Sequence, residues 1–172
     1  MRLYFVFLLN SLLLMAAPSL AADDAIELNL FPDSAPAEVR EAESQALDVM
    51  YDFMRTFNGR DVPNFARTLT YPHVRVASGG VTVFPDRQSF IDATDLEAFA
   101  KRFNWSHSRW DSISTVQADA EKVHFAVQFT RFNPQGEAYV SFNSLYIVQR
   151  TESGWGIRAR SKIGRASCRE RV

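Results

Sequence analysis

Between residues 37 and 57 apolar side chains recur every three or four positions: Val39, Ala42, Ala46, Val49, Met50, Phe53 and Phe57. That spacing draws a single apolar stripe along one helix. Ser34-Ala35-Pro36 introduces it, with Pro36 suited to a first turn and Glu38 and Glu41 to the positive end of the helix dipole, and Asn58-Gly59 stops it. Asp61 is placed to cap a short second helix through Phe65 and Ala66. Thr70 to Ala77 then reads as a strand, Ser78-Gly79-Gly80 as a turn, and Val81 to Phe84 as the return strand. Pro85-Asp86 opens a third helix with Asp86 as its N-cap and Leu96, Phe99 and Phe103 on its buried face.

From Trp105 onward the period changes to two. Trp105 to Val116 opens a meander; Val123, Phe125, Val127 and Phe129 share one face of its next strand, and His124, Gln128 and Thr130 share the other. Tyr139 to Gln149 and Trp155 to Ser161 alternate in the same way, with turns near Asp119-Ala120, Asn133-Pro134-Gln135-Gly136 and Glu152-Ser153-Gly154. Asp23 to Asp33 lacks a clear period and reads as an extended lead-in. Helices first and an antiparallel meander last is an α+β order, with the helices gathered on one face of one sheet.

Both ends are set apart from this domain. Met1 to Ala21 carries Arg2, an apolar run from Leu3 to Met15 broken by Asn10 and Ser11, and small residues at Ser19 and Ala21, the layout of a secretory signal peptide. The apolar run is too short for a spanning helix, which takes roughly 20 residues. The mature chain is expected to begin near Ala22 or Asp23 and to be periplasmic or secreted, with no membrane contact after cleavage. Residues 162–172, with the run from Ile163 to Val172, resemble the translation of a sequencing-adapter read-through; the competing reading is a native basic tail. The expected organisation is therefore a signal peptide (1–21), a lead-in (22–36), one domain (37–161) and a foreign tail (162–172).

Trimming alters the charge. The chain has 19 basic and 20 acidic residues, and without Arg2, Arg165, Arg169, Arg171 and Glu170 the net charge is about −4. A mildly acidic domain offers no electrostatic footprint for nucleic acid. The single cysteine, Cys168, lies in the tail, so an exported domain of about 140 residues has no disulfide framework and holds together through its core. The full chain has fourteen phenylalanines, twelve of them beyond residue 21, which makes that core aromatic-rich.

The order helix, short helix, hairpin, helix and four antiparallel strands resembles the nuclear-transport-factor-2-like superfamily, in particular its SnoaL-like and ketosteroid-isomerase-like branches. The resemblance spans about Ala37 to Ser161 and rests on Thr70-Tyr71-Pro72-His73-Val74-Arg75-Val76, on Trp105-Ser106-His107-Ser108-Arg109-Trp110, on Val123 to Phe132 and on Gly154-Trp155-Gly156-Ile157-Arg158-Ala159-Arg160-Ser161. It implies a curved antiparallel sheet wrapped round the long N-terminal helix, a cone whose open end holds a small molecule. That cone serves isomerases, dehydratases, cyclases and noncatalytic members alike.

Isomerase-like members place a base carboxylate on the first strand after the second helix and oppose it with oxyanion donors. Thr70 to Ala77 contains no Asp or Glu, although Tyr51 stands where a family oxyanion tyrosine lies. Dehydratase-like members use a His held by a carboxylate, for which His73, His107 and Asp111 are the parts available. His73, on a strand near the cone's mouth, is the first candidate for a base or donor, against a structural His with a hydrogen-bond partner. His107 alternates with Trp105 and Arg109 on one face, which is either pocket lining or exposed sheet. Arg131 continues the inward register of Val123 to Phe129, either to bind an anion or to pair with a carboxylate. Tyr146 shares a face with Val140, Phe142 and Val148 and either aims its hydroxyl inward or packs in the core. Arg158 and Arg160, opposite Trp155, Ile157 and Ala159, read as solvated surface or dimer contact.

The lining set is thus Tyr51, His73, Trp105, His107, Arg131 and Tyr146. The three histidines lack a metal-ligand spacing, and no metal or cofactor is expected. Three functions follow: an exported protein binding a small apolar or weakly anionic molecule, a noncatalytic homodimerising module, or a cofactor-free isomerase or dehydratase-type lyase.

Overall fold

The computed structural model describes residues 25–77 and 79–163. Residues 1–21, read as a signal peptide, and all of the segment beyond Ile163 lie outside the described residues. Within them, strand β1 (Glu27–Asn29) precedes helices α1 (Ala37–Asn58) and α2 (Val62–Arg67), the hairpin β2 (Leu69–Ala77) and β3 (Gly80–Phe84), and helices α3 (Arg87–Asp92) and α4 (Leu96–Phe103). Four long strands follow: β4 (His107–Ala118), β5 (Lys122–Phe132), β6 (Ala138–Thr151) and β7 (Gly154–Ile163). The described strands form one curved, unclosed sheet in the order β1-β4-β5-β6-β7-β2-β3. The α+β cone expected from the sequence is the fold observed.

α1 lies in the concavity because its apolar positions fall on one side: Ala42, Ala46, Met50 and Phe53 are buried at spacings of four, four and three. Burying side chains of the size of Met50 and Phe53 stabilises the fold by roughly 1.5–3 kcal/mol each. Polar contacts fix the helix against β4. Asn58 pairs with the Ser108 backbone in both directions, at 2.8 and 2.9 Å, and the Trp110 indole N–H donates to the Met50 carbonyl at 3.2 Å. At the other end the buried Glu43 carboxylate accepts from the Phe31 N–H at 3.0 Å and from the Thr115 hydroxyl. The lead-in is therefore tied down, and its Glu27–Asn29 segment pairs in parallel with Ser112–Ser114 of β4.

Two local expectations are corrected. The third helix is two helices, because Asp95 accepts from the Ala98 N–H at 2.8 Å as a second N-cap and the Thr94 hydroxyl bonds the Phe90 carbonyl at 2.6 Å. Such short polar side chains compete for helical backbone groups and favour a break. Phe103, placed on the buried face by periodicity, ends α4 exposed. Gly59 closes α1 in ordinary helical geometry, and the left-handed residue is Arg60, at φ 54°.

Register decides what faces the cone. Along β5, Val123, Phe125, Val127 and Phe129 are buried as the alternation predicts. In β7 the alternation is interrupted: Ile147 of β6 pairs with Ala159, but Val148 pairs with Ile157, leaving Arg158 as the extra residue of a bulge. A one-residue slip sends later side chains to the opposite face. Ile157 is buried, and Arg160, read as surface or dimer contact, instead turns into the cone. Arg158 donates to the Tyr71 carbonyl at 2.7 Å. β2 approaches the start of β7 closely at Gly156, where a Cβ would meet Thr70 Cγ2 at 2.8 Å and the Leu69 carbonyl carbon at 3.1 Å.

Candidate functional site

The open side of the cone contains a cavity of about 190 Å³. Phe57 of α1, Phe65 of α2, Phe84, Phe90 of α3, Phe99 of α4 and Phe129 of β5 supply an aromatic wall. Trp105 stands behind that wall, its ring 4.6 Å from Phe57 and 5.4 Å from Phe99. An inner recess of about 30 Å³ runs toward Phe53 and Trp110 and shares Phe57, Phe129, Arg131, Tyr146 and Arg160 with the cavity.

Into this aromatic chamber the sheet projects cations. Arg75 of β2 pairs with Arg160 of β7, and Arg160 pairs with Tyr146 of β6, so one cross-strand row carries two guanidiniums and a phenol. All three side chains line the cavity, together with Arg131 from β5 and Lys162. Like charges directly opposite one another across a sheet are destabilising. Burial, reinforced by Arg160, lowers the Arg75 pKa, and burial with Arg160 and Arg75 does the same to Arg131 against an opposing contribution from Tyr139. Lys162 is brought down to about 8 by burial and then by the three arginines, but it falls within the segment read as foreign.

None of the three arginines pairs with a carboxylate among the described residues. Two of them rest on rings instead: the Arg160 guanidinium lies 5.3 Å from the Phe53 centroid, and Arg131 lies 4.7 Å from Phe99 and 5.0 Å from Phe142. The Nε atoms of Arg131 and Arg160 are buried without a hydrogen-bond partner. The acid in the described lining is Asp95, and it is engaged as the N-cap of α4. The Tyr146 hydroxyl has no hydrogen-bond partner among the described residues.

Of the six residues proposed from the sequence, Arg131 and Tyr146 line the cavity, and the other four do not. Tyr51 stands on the outer side of α1, 38% exposed, one position past the buried Met50. Trp105 is buried and donates its indole N–H to Ser108 Oγ at 2.9 Å. His107 is exposed and stacks on Phe132 at 4.8 Å. His73 is completely buried beside Phe84 and Phe90, rather than at the mouth. Its Nδ1 lies 3.0 Å from the Ile157 carbonyl, which can only accept, so Nδ1 carries the proton and Nε2 is left bare and without a partner. Burial, then repulsion from Arg160, lowers its pKa to about 4.

The His and Asp parts of a dehydratase constellation are not brought together. His73 bonds Ile157, His107 approaches Ser106 Oγ at 3.4 Å, and Asp111 accepts from Thr130 at 2.6 Å. Among the described residues no group of three His, Cys, Asp or Glu side chains is placed to hold a metal ion. Arg75 and Arg160 were absent from the proposed set. Arg75 shares the face of His73 two residues on, a signal present in the sequence, whereas Arg160 was hidden by the bulge.

A family model described as NTF2-like protein (DUF6841) matches residues 42–161. Among solved structures, an NTF2-like protein with a cystatin-like fold from Novosphingobium aromaticivorans superposes with a TM-score of 0.59 at 10% identity, covering 74% of this chain and 84% of that one. Aln2 from a Streptomyces species gives 0.57 at 20% identity over 72% and 91%. A ketosteroid isomerase-like protein from Erwinia carotovora atroseptica gives 0.50 at 18% identity over 70% and 95%. At these identities the likeness is one of fold. No curated protein matches the sequence.

Proposed function

The chain belongs to the NTF2-like family that the DUF6841 model describes, and on that footing we propose that its cone binds a small anionic molecule with an aromatic or apolar body. The observation that carries this reading is the row in which Arg75 faces Arg160 with no carboxylate between them. Two guanidiniums held together in a half-buried chamber cost stability unless an anion joins them. Arginine offers a carboxylate paired, charge-assisted hydrogen bonds, and the surrounding phenylalanines offer its ring an apolar surface. Among the described residues the chamber places no base carboxylate free to accept a proton from such a ligand, which favours binding over isomerisation.

Benzoate and its neutral isostere benzamide make the test, read by titration calorimetry. Benzoate is expected to bind at least tenfold tighter than benzamide, and Arg160→Ala to abolish that difference, since a hydrogen bond to a charged group is worth roughly 1.5–3 kcal/mol. Equal affinity for acid and amide in the wild-type protein overturns the proposal.

A second reading has its own observation. On the outer face, Val83, Val74, Ala159 and Ile147 lie in one paired row, and Val81 and Leu145 flank it; Val81 is 66% exposed, Val83 55% and Leu145 39%. An exposed apolar sheet face of this kind suits a second copy of the chain. Analytical ultracentrifugation at micromolar concentration is expected to show a dimer that Val83→Lys with Leu145→Lys converts to monomer. A wild-type protein that stays monomeric removes the idea.

A further inference from the structure

Resting on the anion-binding reading, we infer that the ligand is an elongated dianion, with one acidic group held by Arg75 and Arg160 and a second, set apart from it, held by Arg131. The positions of the arginines in the sheet lead to this. Arg160 is paired with Tyr146 and Arg131 with Val140, six residues apart on β6. Six residues of extended strand span about 20 Å. Both side chains nonetheless reach the same cavity and the same inner recess, so they approach it from backbone positions at opposite ends and bring their guanidiniums within repelling range of each other.

Each end is built separately. Arg75 and Arg160 are neighbours on adjacent strands, with Arg160 resting on Phe53, and form a paired anchor for one planar acid. Arg131 is held over Phe99 and Phe142, rings that the Arg160 guanidinium does not touch. Its neighbour Tyr139 offers a hydroxyl rather than a negative charge. A guanidinium Nε is buried without a hydrogen-bond partner at both ends, on Arg160 at one and on Arg131 at the other.

Charge balance gives the second step. Three guanidiniums facing one chamber carry three positive charges, against which Asp95, committed to the Ala98 N–H, is the acid in the described lining. A monoacid seated at Arg75 and Arg160 leaves Arg131 half-buried and uncompensated, and an unpaired charge in such a place is costly. A second acidic group at the far end of the same molecule satisfies it. Between the two ends the shared wall is Phe57, Phe129 and Tyr146, which suits a flat apolar spacer with the Tyr146 hydroxyl available to a polar substituent.

The probes are terephthalate and 4-carbamoylbenzoate, which share a ring and one carboxylate and differ only in whether the second group is charged. Terephthalate is expected to bind the wild-type protein at least tenfold tighter, the size expected for a charge-assisted contact. Arg131→Met is expected to bring the ratio of the two affinities to near one, and because the ratio is internal to one variant, a general loss of stability does not mimic the result. A wild-type ratio near one, with both compounds bound, overturns the dianion and leaves the single-anion reading standing. Binding of neither compound, nor of benzoate, overturns both.

Discussion

Replacing Phe53 by alanine is expected to cost about 3–5 kcal/mol of folding stability, the range for deleting a buried aromatic ring. Phe53 is 3% exposed and sits where the helix layer meets the sheet, with ring centroids of Phe65 at 4.8 Å, Tyr146 at 5.5 Å, and Phe57 and Trp110 at 6.4 Å. These partners come from α1, α2, β4 and β6, so no single element can move to fill the gap. A loss of that size takes a large share of the roughly 5–15 kcal/mol that holds a domain together. The effect reaches the chamber as well. Phe53 lines the inner recess and supports the Arg160 guanidinium at 5.3 Å. At a temperature where the variant is folded, benzoate affinity should therefore fall with Arg160 no longer fixed, whereas Phe53→Leu, which keeps most of the volume, should lose less than half as much stability. Urea denaturation checks the first claim and calorimetry the second. A loss below about 1 kcal/mol for Phe53→Ala would mean that the centre of this core had been misplaced.

The parts of the fold written in local periodicity were legible in the sequence. The α1 stripe and the β5 alternation required only neighbours three, four or two positions away, and the same alternation set Arg131 and Tyr146 on the inward faces. The chamber depends on pairings that no local count contains. Arg75 meets Arg160 because β2 and β7, 85 residues apart at that point, run in parallel, and Arg160 faces inward because Arg158 is bulged out. His73 owes its burial to the same parallel pairing and to Phe84 and Phe90, which close over it. Tyr51 shows the limit of a family position carried over without its local phase. One residue past Met50 is a turn of about 100° on the helix, enough to move the side chain from core to solvent.

Acid is expected to destabilise the protein through His73 by about 3 kcal/mol between neutral pH and pH 4, the free energy that matches a fall in pKa from 6.5 to about 4. The folded state disfavours the imidazolium because the ring is buried, and secondarily because Arg160 and, more weakly, Arg75 repel it; the bonds to the backbone at Ile157 and Arg158 oppose this but do not outweigh it. Since the folded pKa lies below the unfolded one, the unfolded chain binds more protons between pH 6.5 and 4. Stability from this group is then complete above about 6.5 and is lost as pH falls toward 4. Urea unfolding of the wild type and of His73→Phe across that window isolates the contribution, because the surface carboxylates titrate in both proteins. The variant keeps an aromatic ring against Phe84 and Phe90 but leaves the Ile157 carbonyl without its donor, so it should start less stable at pH 7 by about 1–3 kcal/mol. It should then lose about 3 kcal/mol less than the wild type on going to pH 4, so that the two curves converge or cross. Parallel curves would show that the imidazole is reached by solvent, and would count against its burial beside Phe84 and Phe90.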